Sequence, residues 1–105
     1  MGIPLGTMVG FTAIFAANDQ MAYGARLALH RAGLRVPEDV SLLGFDDLPH
    51  SAFTLPPLSS IRQSVYEIGT SAAKAMFDLL NKRNPPSRLV EAELVVREST
   101  RIFRR

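Results

Sequence analysis

The octapeptide Val40–Asp47, VSLLGFDD, restricts the fold of this chain more than any other stretch. Five of its first six residues are apolar or glycine, and two carboxylates follow back to back. Such an apolar run suits a strand covered on both faces, as in a parallel sheet lying between helices. Acids placed directly after it stand at the carboxyl edge of the sheet, where open α/β folds bind ligands. Asp46 and Asp47 are therefore the first candidate site residues.

The flanking sequence extends the same pattern. Thr12–Ala17 reads as a short buried strand, and Asn18-Asp19 supply helix-capping side chains. A helix follows from about Gln20 to Ala32, stopped by Gly33. On it Met21, Ala22, Ala25, Ala28, Leu29 and Ala32 form one apolar stripe, with Tyr23 and Leu27 on the far side beside Arg26 and His30. Pro37 turns the chain into the strand Val40–Phe45. Leu48–Leu55 fits a loop or one short helix after Pro49, and Pro56-Pro57 lead into an extended Leu58–Gln63. A second long helix runs from Val65 to about Lys82, with Val65, Ile68, Ala72, Ala75, Met76 and Leu79 on one face. After the turn Asn84–Ser87, Arg88–Arg97 alternates as a last strand.

This order predicts an α/β fold, a mainly parallel sheet with flanking helices. Three or four strands and two helices leave several apolar faces without a cover. The chain is expected to be part of a larger fold or to be completed by self-association.

Composition narrows the function. No apolar run is long enough for a transmembrane helix, so no membrane partner is expected. Residues 1–11 lack a basic region and cleavage site, and read as a leader or cloning remnant rather than a signal peptide. Zero cysteines exclude disulfides and thiolate metal sites and fit a cytoplasmic location. The net charge of +2 invites a nucleic-acid reading, but the basic residues are scattered among ten acids. Only Lys82-Arg83 and the basic tail 101–105 cluster, and no segment has helix-turn-helix form.

Three segments in order, IFAANDQMAYGARLALHRAGLRVPEDVSLLGFDD, TLPPLSSIRQ and ELVVREST, resemble the LacI/GalR family of bacterial transcription regulators. The resemblance runs over residues 12–100. It implies the C-terminal portion of the effector-binding domain, a partial periplasmic-binding-protein-like fold in which residues 56–63 cross between two subdomains. It implies a sugar or nucleoside effector, a homo-oligomer, and DNA contact only through a headpiece that this sequence does not contain. A periplasmic-type sugar-binding protein of the same fold is the alternative.

Asp46 is the leading ligand residue, because a carboxylate accepts two hydrogen bonds from adjacent hydroxyls in fixed geometry. The resemblance places that first acid in the cleft and leaves Asp47 as a cap or turn residue. The residues alone favour Asn18 as a helix cap; the resemblance moves it to ligand contact, with Asp19 as the cap. Gln63 suits ligand bonding and hinge bracing equally, and Arg62 suits the cleft or solvent. Tyr23, Leu27 and Phe53 match elements of the family's dimer interface, although Phe53 equally suits core packing beside Pro56. No cofactor, no metal and no catalysis are expected. Phosphoryl chemistry at Asp46-Asp47 would want a lysine after the last strand, where only Arg97 stands, and neither His30 nor His50 has a nucleophile in a recognisable motif.

Overall fold

The computed structural model describes residues 10–103. Its elements in chain order are β1 (Ala13–Phe15), α1 (Asp19–Arg31), β2 (Ser41–Asp46), a 3-10 helix (Pro49–Phe53), β3 (Ser59–Gln63), α2 (Val65–Leu80) and β4 (Ala92–Val95). One four-stranded sheet has the order β1-β2-β3-β4. β1 pairs with β2 and β2 with β3, both parallel, with Phe15 opposite Leu43 and Asp46 opposite Arg62. The expected α/β class is what folds. The chain divides into two compact units, one running through Arg62 and resuming at Leu94, the other Gln63–Glu93.

In the first unit, α1 begins where Asn18, in extended backbone, turns its side chain onto the Met21 N–H at 2.8 Å. It ends at Gly33, whose φ of +78° is one that residues with a Cβ rarely adopt. Gly33 N–H then reaches the His30 carbonyl and Leu34 N–H the Leu29 carbonyl, satisfying two orphan acceptors in a Schellman arrangement. The helix buries Ala22 and Leu29. Ala22, Ala16, Leu42 and Leu58 form the core cluster, with Ile14, Tyr23, Ala25 and Val36 packed against it.

β2 departs from the expectation of a strand buried on both faces. Leu42 and Gly44 are buried toward α1, whereas Leu43 and Phe45 on the opposite face are only half-buried. That second face carries no helix among the described residues of this unit, and Phe15 beside it is largely exposed. A cavity of about 380 Å³ lies there, lined by Ile14, Phe15, Leu43 and Phe103 among others. The apolar run was legible; its second cover is not in this unit.

The segment after β4 is sewn to the sheet by hydroxyls. Ser99 Oγ accepts from Ser59 N–H (2.7 Å) and donates to the Leu42 carbonyl (2.6 Å). Ser59 Oγ accepts from Arg97 N–H (2.8 Å). Ser51, Ser59, Ser60 and Ser99 are all fully buried, each with its hydroxyl bonded. Arg101, expected to open a basic tail, instead donates to the carbonyls of Pro37 and Glu38. Residues 104–105 of that tail, and residues 1–9 of the expected leader, lie outside the described residues.

In the second unit, α2 is capped by Ser64, whose Oγ accepts from Glu67 N–H at 3.3 Å. Glu67 pairs in turn with Arg88. The helix forms close to the predicted span, but no residue of α2 is buried, so the expected stripe has no cover among the described residues. Val65, Met76 and Leu79, and also Tyr66, Phe77 and Leu80, remain exposed. The last strand is shorter than the alternation over Arg88–Arg97 suggested, because only Ala92–Val95 keep strand geometry.

Candidate functional site

Because β1 and β2 run parallel, their carboxyl ends open on the same edge of the sheet. Asn18 follows β1 by three residues and Asp46 is the last residue of β2. The backbone there is unusual. Asp46 has φ 108° and Asp47 φ 54°, both in the left-handed half of conformational space. Aspartate tolerates such angles better than most residues, yet two in succession cost of order 1–3 kcal/mol each and persist only where the surroundings hold them.

The two acids have different surroundings. Asp46 is exposed and its carboxylate makes no hydrogen bond or ion pair among the described residues. Asp47 has a side chain only 5% exposed and is gripped from both sides. Arg97 Nη1 donates to its Oδ1 at 2.6 Å and Arg62 Nε to its Oδ2 at 2.8 Å. The Arg97 hydrogen bond, then that of Arg62, holds the Asp47 carboxyl below the usual carboxylate range despite its burial. Asp47 is thus an internal anion with each oxygen held by an arginine, whereas Asp46 has both oxygens without a partner among the described residues.

The capping role that the resemblance gave to Asp19 falls to Asn18. Asn18 is the helix cap, with its Oδ1 committed to Met21. Asp19 sits one residue inside α1, fully buried. Its Oδ2 accepts from Leu48 N–H (2.7 Å) and Ser51 Oγ, and its Oδ1 from Ser60 Oγ (2.6 Å). The physical reason is the start of the helix. α1 begins at Asp19, so Asn18 holds the extended backbone a cap needs, and the next side chain turns inward.

Gln63 ends β3, half-buried, and belongs to the second unit. Arg62 is engaged with Asp47 rather than standing free in solvent. Of the three interface candidates, Leu27 is 46% and Phe53 83% exposed, so Phe53 does not pack into the core formed by the described residues. Tyr23 is corrected. It packs against the core cluster, its hydroxyl lies 2.6 Å from Ser51 Oγ, and its ring meets His50 edge-on at 6.1 Å. The 3-10 helix reaches that side of α1 and takes the tyrosine inward. Met21, placed on the core stripe from its spacing, is 59% exposed instead.

The sequence reading missed Asp19, Ser60 and Arg97 as one network. A usable signal was Gly44 in the middle of an apolar strand. A Cβ there would lie 2.3 Å from Asp19 Oδ1, so the glycine marks the approach of the buried carboxylate. Among the described residues no group of three or more His, Cys, Asp or Glu side chains could hold a metal ion.

The sequence model of the periplasmic binding protein-like domain matches residues 5–100. The chain belongs to that family. Within it, the chain is similar to part of the effector-binding domain of LacI/GalR-type regulators, as the motifs implied. It is 44% identical over 92 residues to the HTH-type transcriptional repressor CytR of Escherichia coli K12, covering 86% of this chain and 27% of the repressor. It is 41% identical over 92 residues to the HTH-type transcriptional repressor PurR of Pasteurella multocida strain Pm70, covering 86% of this chain and 28% of that one. A solved lac repressor dimer, bound to operator and the anti-inducer ONPF, superimposes with a TM-score of 0.78 at 37% identity, covering 85% of this chain and 32% of that chain. The chain thus spans just over a quarter of the length of the curated relatives it matches.

Proposed function

We propose that this chain forms the C-terminal part of the effector-binding domain of a transcription regulator, and that Asp46 binds the effector. The observation that carries the reading is the contrast between neighbouring acids. One is neutralised inside by two arginines, while the other is presented unpartnered at the carboxyl edge of a parallel sheet. An unpaired carboxylate in that position matches two adjacent hydroxyls, as on a sugar ring or a ribose. Asn18 stands on the same edge with its amide nitrogen left to donate. The solved relative carrying both an operator and a small molecule supports a regulator. That the matched relatives are repressors supports a non-catalytic, cytoplasmic role.

The dimeric state of that solved lac repressor supports self-association, with Leu27 and Phe53 as exposed contributors here. DNA is read by a part of the protein outside this sequence.

The test is calorimetry on the whole polypeptide with ribose, cytidine, adenosine, glucose and cellobiose, each against an analogue lacking one of two adjacent hydroxyls. Loss of such a pair or of the Asp46 carboxylate (Asp46→Ala) is expected to weaken binding by about 2–4 kcal/mol, from a lost charged hydrogen bond and the groups left unpaired. Binding that is indifferent to both changes, or absent across the panel, refutes the assignment.

A further inference from the structure

We propose that Asp19, acting through Ser60 and the Leu48 amide, is a positioning residue that holds the Asp46–Asp47 turn in its strained form and so aims the Asp46 carboxylate. This rests on Asp46 as the ligand residue. The turn is pinned at two consecutive backbone amides and at one side chain. Asp47 N–H donates to Ser60 Oγ at 3.0 Å, while the same hydroxyl donates to Asp19 Oδ1 at 2.6 Å. Leu48 N–H donates to Asp19 Oδ2 at 2.7 Å. The Asp47 carboxylate is fixed separately by Arg97 and Arg62. A backbone with φ 108° followed by φ 54° does not hold itself in that form, and these bonds are the contacts that over-determine it.

Asp19 is well suited to the task. It is fully buried, and among the described residues it has no cationic partner to draw it elsewhere. Its three donors come from segments 29, 32 and 41 residues away, so one side chain fixes α1, the turn, the 3-10 helix and β3 together. Gly44 supplies the space beneath it. Charged acceptors make the stronger hydrogen bonds, which is what a strained turn needs.

Two single-hydroxyl deletions separate positioning from general stability. Ser60→Ala and Ser51→Ala each remove one bond to the same buried carboxylate, but only Ser60 also holds the Asp47 amide. In the whole polypeptide both are expected to lower the melting temperature alike. Amide hydrogen exchange at Asp47 should accelerate about tenfold in Ser60→Ala and stay near wild type in Ser51→Ala, because only Ser60→Ala removes the bond made by the Asp47 N–H. Affinity for the tightest-binding compound among ribose, cytidine, adenosine, glucose and cellobiose should fall about tenfold in Ser60→Ala alone.

Equal exchange and equal affinity in the two variants would overturn the proposal, reducing Asp19 to a structural anchor. Faster exchange at Asp47 with unchanged affinity would also overturn it, leaving Asp46 as a ligand residue that needs no aiming. If no panel compound binds, the ligand role of Asp46 fails and its aiming with it. The exchange data then still show whether Ser60 clamps the turn.

Discussion

Replacing Arg97 with alanine tests the charge arrangement beneath the site. Arg97 Nη1 makes two bonds at once, 2.6 Å to Asp47 Oδ1 and 2.8 Å to the Leu58 carbonyl. Orphaning one partner of a buried ion pair costs about 3–5 kcal/mol. Arg62 remains on the other Asp47 oxygen but is half exposed, so it compensates in part. The expected loss is therefore at the lower end, about 3 kcal/mol at pH 7. The dependence on pH is as diagnostic as the size. The folded-state carboxyl of Asp47 is held below its ordinary value, so its contribution is complete above the unfolded pKa of about 3.9 and disappears as pH falls through the folded one. Urea denaturation of wild type and Arg97→Ala in parallel from pH 7 to pH 2.5 should show the gap narrowing toward the bond to Leu58 alone, about 1 kcal/mol. A gap below 1 kcal/mol at pH 7, or one that stays constant with pH, would refute the buried-anion account.

Gly44→Ala should cost more than about 2 kcal/mol, since the new methyl meets Asp19 Oδ1 at 2.3 Å and Leu58 Cδ2 at 2.9 Å and neither can retreat cheaply; an unchanged melting temperature would exclude this packing. Leu42→Ala, at a residue 1% exposed in the core cluster, should lose about 3 kcal/mol in the same urea assay. Asn18→Ala should lose about 1 kcal/mol of stability and Asn18→Ser much less, because serine keeps the cap to Met21. Equal melting temperatures for those two variants would remove Asn18 from the capping role.

How much was legible in the sequence follows from the range over which each feature acts. The strand-to-acid junction at Phe45-Asp46 and the Gly33 stop are local patterns, and each lies where the sequence pattern placed it. Asp19 was misread because its partners lie 29 to 41 residues away, and short-range pattern carries no information on which of two adjacent capping residues will turn inward. Tyr23 and Met21 were exchanged for a related reason. A helical wheel ranks faces by hydrophobicity, but the 3-10 helix, read only as a loop or short helix, supplies Ser51 as a partner for the tyrosine hydroxyl. Buried serines give little signal of their own, since the residue is usually found at the surface. That Asp47 would be held by two arginines was not legible, since Arg62 and Arg97 lie 15 and 50 residues away.

The serine hydroxyls that tie the last segment to β2 and β3 have a consequence for how this protein can be altered. Apolar contacts tolerate small sliding, whereas a hydroxyl that both donates and accepts fixes alignment to within a fraction of a residue. Ser59 and Ser99 act as dowels between pieces of chain 40 positions apart. A shortened version ending before Ser99 would keep most of its oily interior yet lose the pegs that index one strand against the next. A fusion joined beyond Phe103 would leave every peg in place.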